Sequence, residues 1–243
     1  MALSRNEIVA SCFAAHARDY DGHARLQADV ADSLATMLPA LERPKVLEVG
    51  CGTGFLTRHL LEAYPKGDFL ITDLAPEMVT RCRANYEHVN GRALRFAVMD
   101  GEAPDCDESF DLIVLSMTLQ WFSKPLEGLR RLTGMLNPNG TLLYATVGKD
   151  SFSEWRKALD VCDLRHGLIR MPGLPHVCRE EIHVVDYGSG LGFLKTLKAI
   201  GASTPRPAYE PLPAGKLRAA LRWLEAKYGA QVTWRIIYGM ISA

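Results

Sequence analysis

Three glycines and three acids are the residues of this chain best spaced for chemistry. Gly50, Gly52 and Gly54 stand two apart at the end of the apolar run Val46-Leu47-Glu48-Val49, and a helical pattern begins at once with Phe55-Leu56-Thr57. Such a stretch reads as a buried strand, a tight turn through Cys51 and Thr53, and a helix N-terminus. Glycine takes positive φ at little cost and lets a ligand press against the main chain. The helix start adds unpaired N–H groups and the positive end of a dipole. The chemistry this suits is the holding of a nucleotide-like ligand. The glycines alone leave its kind open: a dinucleotide turn has the spacing G-x-G-x-x-G, whereas the spacing here is G-x-G-x-G.

The acids narrow the choice. Glu48 lies inside the strand just before the turn, where a carboxylate can accept from an ammonium or from ordered water. Asp73 ends the next apolar run, Leu70-Ile71-Thr72-Asp73, with Leu74 directly after it. An acid about 20 residues beyond the glycines, at a strand's carboxyl end, can hold ribose hydroxyls. Asp100, in Met99-Asp100-Gly101-Glu102, can accept from an adenine amino group. All three positions fall at strand carboxyl ends, where open α/β sheets take their ligands.

The elements that must position these residues alternate. Residues 4–40 read as helical, with Leu26, Val30, Leu34 and Leu38 on one face. Strands are expected at 45–49, 68–72, 94–98, 110–115 and 141–147, and helices at 55–63, 75–87 and 125–136. The turn Asn137-Pro138-Asn139-Gly140 precedes the last of these strands. This order predicts a doubly wound, mostly parallel α/β sheet. Beyond Gly148 the rhythm changes. Helices are expected at 151–168, 191–200 and 214–228, with strands at 181–187 and 231–241. The chain thus divides into a helical lead-in (1–43), a core (44–148), a cap with an added strand (149–230) and a final antiparallel strand (231–243), all in one domain.

Composition agrees with a packed enzyme-sized domain. Hydrophobic residues make up 48% of the 243 and charged residues 23%. The six cysteines show no C-x-x-C pair, so neither a disulfide scaffold nor a metal site is expected. Free thiols suit a reducing cytoplasm. A signal peptide and a membrane span are not expected. A net charge of zero argues against nucleic acid as a partner. The charge is unevenly spread: residues 1–150 carry 15 basic and 20 acidic side chains, and residues 151–243 carry 13 and 8. The C-terminal part is therefore suited to an acidic partner.

Through VLEVGCGTG, ITDLAPEM, MDGEAPD, FDLIVLSMTLQWF and LNPNGTLLYAT, residues 44–148 resemble the class I methyltransferases that use S-adenosylmethionine. The resemblance implies a Rossmann-like fold, with S-adenosylhomocysteine as product. It implies that Glu48 and the turn Gly50-Cys51-Gly52-Thr53-Gly54 hold the methionine end. Asp73, beside Leu74, would bind the ribose, and Asp100, Gly101 and Glu102 would meet the adenine. Met78 either packs on the adenine or fills core. Gln120 and Trp121 follow the fourth strand, where methyl group and substrate meet.

Three further stretches resemble the BioC-type malonyl-acyl-carrier-protein O-methyltransferases of biotin synthesis: 13–27, 193–202 and 232–240. This resemblance implies methylation of the free carboxylate of a malonyl thioester carried on acyl-carrier protein. Between about Met171 and Tyr187 the chain is shorter than the family pattern. Tyr20 and Lys198 lie in the matching stretches and are the expected substrate residues, with Gln120. Lys195, Arg165, Arg170 and Arg206 are rivals for the carboxylate, while Arg156, Lys157, Lys195, Arg218 and Arg222 are candidate docking charges. Methylation of a carboxylate needs no base, which leaves His16 structural. A quinone precursor or another carboxylic acid is the alternative substrate, and a non-catalytic S-adenosylmethionine-binding module the alternative of another class. A monomer is expected.

Overall fold

The computed structural model describes residues 4–89, 93–169, 171–202, 204 and 209–243. Five parallel strands form the heart of the sheet: β1 (Lys45–Val49), β2 (Asp68–Asp73), β3 (Ala93–Val98), β4 (Phe110–Ser116) and β5 (Leu136–Val147). Two more extend it, β6 (Val177–Asp186) and β7 (Gln231–Ser242), giving the order β3-β2-β1-β4-β5-β7-β6. β7 runs antiparallel to both β5 and β6. The strand order reverses between β1 and β4, and that switch point opens a crevice at the strands' carboxyl ends.

Burial explains why these segments are strands. Val46, Leu47, Ile113, Val114, Leu142 and Leu143 are wholly enclosed, as expected for parallel strands covered on both faces. One covering layer comes from α2 (Arg25–Ala35) and α3 (Phe55–Ala63), which bury Val30, Leu34, Leu56 and Leu60. The opposite layer includes α5 (Pro125–Thr133), which buries Leu129 and Leu132. α4 (Pro76–Tyr86) follows β2, with its proline in the first turn, where a missing N–H costs nothing. The cap is a separate apolar cluster of α6 (Ser153–Val161), α7 (Gly190–Ala199) and α8 (Ala214–Tyr228) around Trp155, Phe193 and Leu224.

The lead-in is not one continuous helical stretch. α1 (Arg5–Ala14) stops, a single 3-10 turn covers Tyr20–Gly22, and α2 starts afresh. Asp19-Tyr20-Asp21-Gly22 is poor in helix formers, and the break turns Tyr20 inward. The expected helix at 151–168 shrinks to α6, with Asp163 at φ 51° just beyond it. The turn at 137–140 is absorbed into β5 as an irregularity in its register with β4, Asn139 taking φ 64°.

Candidate active site

The glycine turn leaves β1 at the switch point. Gly50, Gly52 and Gly54 have φ of 76°, 56° and 106°. A side chain at Gly50 would run into Thr118, so this glycine is required by packing as well as by conformation. A Cβ at Gly52 would meet no protein atom within 4 Å, and Gly52 lines the crevice. This is open space a ligand can use. The N-terminus of α3 follows directly, with Gly54 as its left-handed cap residue. Gly101 differs: a Cβ there would strike Val49, so close packing beneath the crevice explains it.

The acids stand around the turn. Asp73 accepts from the Gly52 and Ala75 amides, both at 2.9 Å, tying the end of β2 to the turn after β1. Burial raises its pKa, and the backbone N–H groups oppose that rise. Glu48 is enclosed and accepts from the Thr57 hydroxyl at 2.6 Å. Burial pushes its carboxyl up to about 8. A cationic ligand group beside it would favour its charged form. Asp100 accepts from the Glu102 amide at 2.9 Å and from the Asn6 side chain at 2.7 Å. Asn6 brings α1 across the crevice, and the sequence reading had not singled it out.

Other expected cofactor contacts prove mixed. Leu74 lines the crevice. Met78 lines it too, but is 1% exposed and packs with Ala17, Tyr20 and Ile200. Cys51 is buried; its interaction with Cys82 and its burial push the thiol well up, which makes it a packing residue. Glu102 borders the crevice, yet its carboxylate accepts from the Ser123 and Lys124 amides at 2.8 and 2.5 Å and caps the start of α5.

A second cavity of about 390 Å³ lies between the carboxyl ends of β4 and β5 and the cap. Its wall is mostly apolar, with Trp155, Leu159, Leu194, Leu197 and Leu217 from the cap helices. It meets the crevice at five residues that line both: Phe13, Tyr20, Gln27, Met117 and Trp121. Phe13 and Trp121 stand edge to face across this junction, 5.4 Å between centroids. The Tyr20 ring lies near Phe13 and Phe55. Burial first, then the charges of Asp73 and Asp21, push the Tyr20 phenol well above its ordinary range, so it stays a donor.

The other expected substrate residues are placed differently. Gln120 lines the second cavity, but its amide donates to the Met117 carbonyl at 2.6 Å and accepts from Thr146 at 2.7 Å. It braces the ends of β4 and β5. Lys198 is exposed on α7; the same helix turns Leu194 and Leu197 into the cavity, and Lys198 is not among its lining residues. Lys195 and Arg165 are likewise exposed, and Arg170 and Arg206 lie outside the described residues. Arg156, expected on a docking surface, is the one charged side chain among the described residues lining the second cavity, with Nε donating to the Ser151 carbonyl at 3.0 Å. Among the described residues no cluster of His, Cys, Asp and Glu could hold a metal ion, and no helix is long and apolar enough to cross a membrane.

Comparison with known proteins gives the same picture. The family profile described as "Methyltransferase domain" matches residues 47–142. The biotin biosynthesis bifunctional protein BioCD of Bordetella avium is 41% identical over 95% of this chain and 51% of its own length. The chain thus spans about half of that bifunctional relative. The malonyl-[acyl-carrier protein] O-methyltransferase of Magnetococcus marinus is 39% identical over 92% of this chain and 88% of its own. Among solved structures, coclaurine N-methyltransferase bound to N-methylheliamine and S-adenosylhomocysteine superposes with a TM-score of 0.56. That match has 12% identity over 89% of this chain and 72% of the other, a likeness of fold.

Proposed function

The chain belongs to the malonyl-acyl-carrier-protein O-methyltransferases that use S-adenosylmethionine, and from that premise we propose that it methylates the free carboxylate of a malonyl thioester carried on acyl-carrier protein. The product is the methyl ester that primes biotin synthesis. The observation that supports this reading is the junction of the ligand crevice with a large apolar cavity at Phe13, Tyr20, Gln27, Met117 and Trp121. Residues 44–148 serve as the cofactor core and 149–230 as the substrate cap. The scattered cysteines, with no C-x-x-C pair among them, suit action in the cytoplasm.

The crevice fits the cofactor. The open space at Gly52, the start of α3 and the buried Glu48 suit the methionine end, Asp73 the ribose, and Asp100 the adenine. Bound there, S-adenosylmethionine would supply a sulfonium methyl group whose leaving group is a neutral thioether. The chain's residues need not remove a proton, because a carboxylic acid of pKa near ~4 is already ionised at pH 7. Their task is placement and exclusion of water. Phe13, Trp121 and Met117 wall the junction, and Tyr20 offers its hydroxyl there. Arg156 gives the second cavity a positive charge that draws the acid in.

The test is methyl transfer from labelled S-adenosylmethionine to malonyl-carrier protein, with malonyl-CoA and free malonate alongside. The expected product is a base-labile methyl ester, formed fastest on the carrier protein. No ester from any acceptor would overturn the reading.

A further inference from the structure

Resting on that reading of the acceptor as a carboxylate, we infer that Gln27 is the residue that receives and orients it. Gln27 sits on the apolar stripe of α2 with Val30, Ala31 and Leu34, and only 9% of it is exposed. A glutamine in such a stripe should be hydrogen-bonded, because an enclosed amide without a partner is costly. The Gln27 amide forms no hydrogen bond within the described residues, whereas Gln120, the other buried glutamine on the second cavity's wall, donates to the Met117 carbonyl and accepts from Thr146. Nor are its polar atoms sealed in protein, and the residue lines both cavities where they meet. The amide is thus an unpaired donor facing the place where acceptor and methyl group come together.

The chemistry favours a neutral donor at that place. An anion and a sulfonium cation become two neutral products, so charge disappears along the reaction. A cation gripping the carboxylate through two hydrogen bonds would stabilise the starting state more than the transition state. One amide N–H bonds one carboxylate oxygen and leaves the other free. That free oxygen gives its electron pair to the methyl carbon as the carbon–sulfur pair withdraws to sulfur, and no proton moves. The ester formed is a weaker acceptor than the carboxylate, so the same contact favours release of product. The Tyr20 phenol, also buried at the junction, is the second neutral donor. Arg156, the single lining cation among the described residues, belongs to the second cavity and does not border the crevice.

The experiment compares wild type with Gln27→Met, which keeps volume and removes the donor, and Gln27→Glu, which replaces it with an anion. Each is assayed for S-adenosylhomocysteine affinity, thermal midpoint and kcat/KM on malonyl-carrier protein. Gln27→Met should keep the midpoint or raise it, since the amide it removes has no partner to lose. Cofactor affinity should stay within twofold, and kcat/KM should fall about 30-fold. Gln27→Glu should fall further, above 100-fold, and recover in part as pH drops toward 5. If wild type forms ester and Gln27→Met retains kcat/KM within twofold, the assignment is wrong. A lowered midpoint together with weakened cofactor binding would also overturn it, by making Gln27 a structural residue. If wild type forms no ester, the reading of the acceptor itself has failed.

Discussion

Glu48 shows how much one buried side chain can report about its ligand. Its carboxyl, raised to about 8 by burial, is mostly neutral at pH 7. A ligand ammonium favours the charged form, so binding should expel up to roughly one proton at pH 7. Affinity for S-adenosylhomocysteine should rise with pH and level off above about 8. Titration calorimetry in two buffers of different ionisation enthalpy reads the proton directly, and Glu48→Gln should abolish it while weakening binding roughly tenfold. For folding the sign reverses. The neutral form is the one the fold favours, so this contribution is present at pH 4.5 and lost as pH climbs through about 8; Glu48→Gln should flatten that slope. The placement of Glu48 and Asp73 beside the glycine turn was legible in the sequence, because a strand end and the turn beside it are local features. The placement of Gln27 and Arg156 on the cavity walls was not, because it depends on which way a helix face points after packing. A polar residue in the stripe of Val30 and Leu34 was the available signal for Gln27.

At the scale of elements, α1 matters most. Its start is fixed by a capping box in which Ser4 and Glu7 bond each other's backbone amides. That anchoring aims Asn6 at Asp100 and lays Val9, Ala10 and Phe13 along the crevice. The periodicity of residues 4–40 indicated helix but concealed this lid, because the break at 15–24 depends on Tyr20 finding a buried site against Phe13 and Phe55. The alternating core was more legible, since parallel strands buried on both faces stand out as unbroken apolar runs. Asn6→Ala removes a hydrogen bond to a carboxylate worth about 1 kcal/mol at a partly buried site. The expected outcome is dissociation of S-adenosylhomocysteine faster by roughly fivefold, with the association rate little changed. Stopped-flow displacement would show it, and an unchanged off-rate would mean that α1 does not hold the crevice closed.

For the molecule as a whole, the division of charge becomes intelligible once the cap is seen. Lys157, Lys195, Lys198, Arg218 and Arg222 are exposed on α6, α7 and α8, the helices that enclose the second cavity. Lys198, expected to grip the substrate, instead joins this outer set, while Arg156 moves inward. Under the proposed function, an acidic carrier protein approaching the cap would meet those cations around the cavity proposed to take its malonyl group. Attraction between exposed charges is screened within about 8 Å at physiological salt and acts chiefly on the rate of encounter. Raising salt from roughly 50 to 500 mM should therefore lower kcat/KM for malonyl-carrier protein about tenfold and leave kcat nearly unchanged. Malonyl-pantetheine carries the same reacting carboxylate without the carrier's acidic surface, so it should respond far less. Reversing charge at Lys195 and Lys198 should flatten the carrier's salt dependence and spare the small substrate. Equal salt responses for the two substrates would assign the effect to the carboxylate inside the cavity and remove the cap helices as the docking surface.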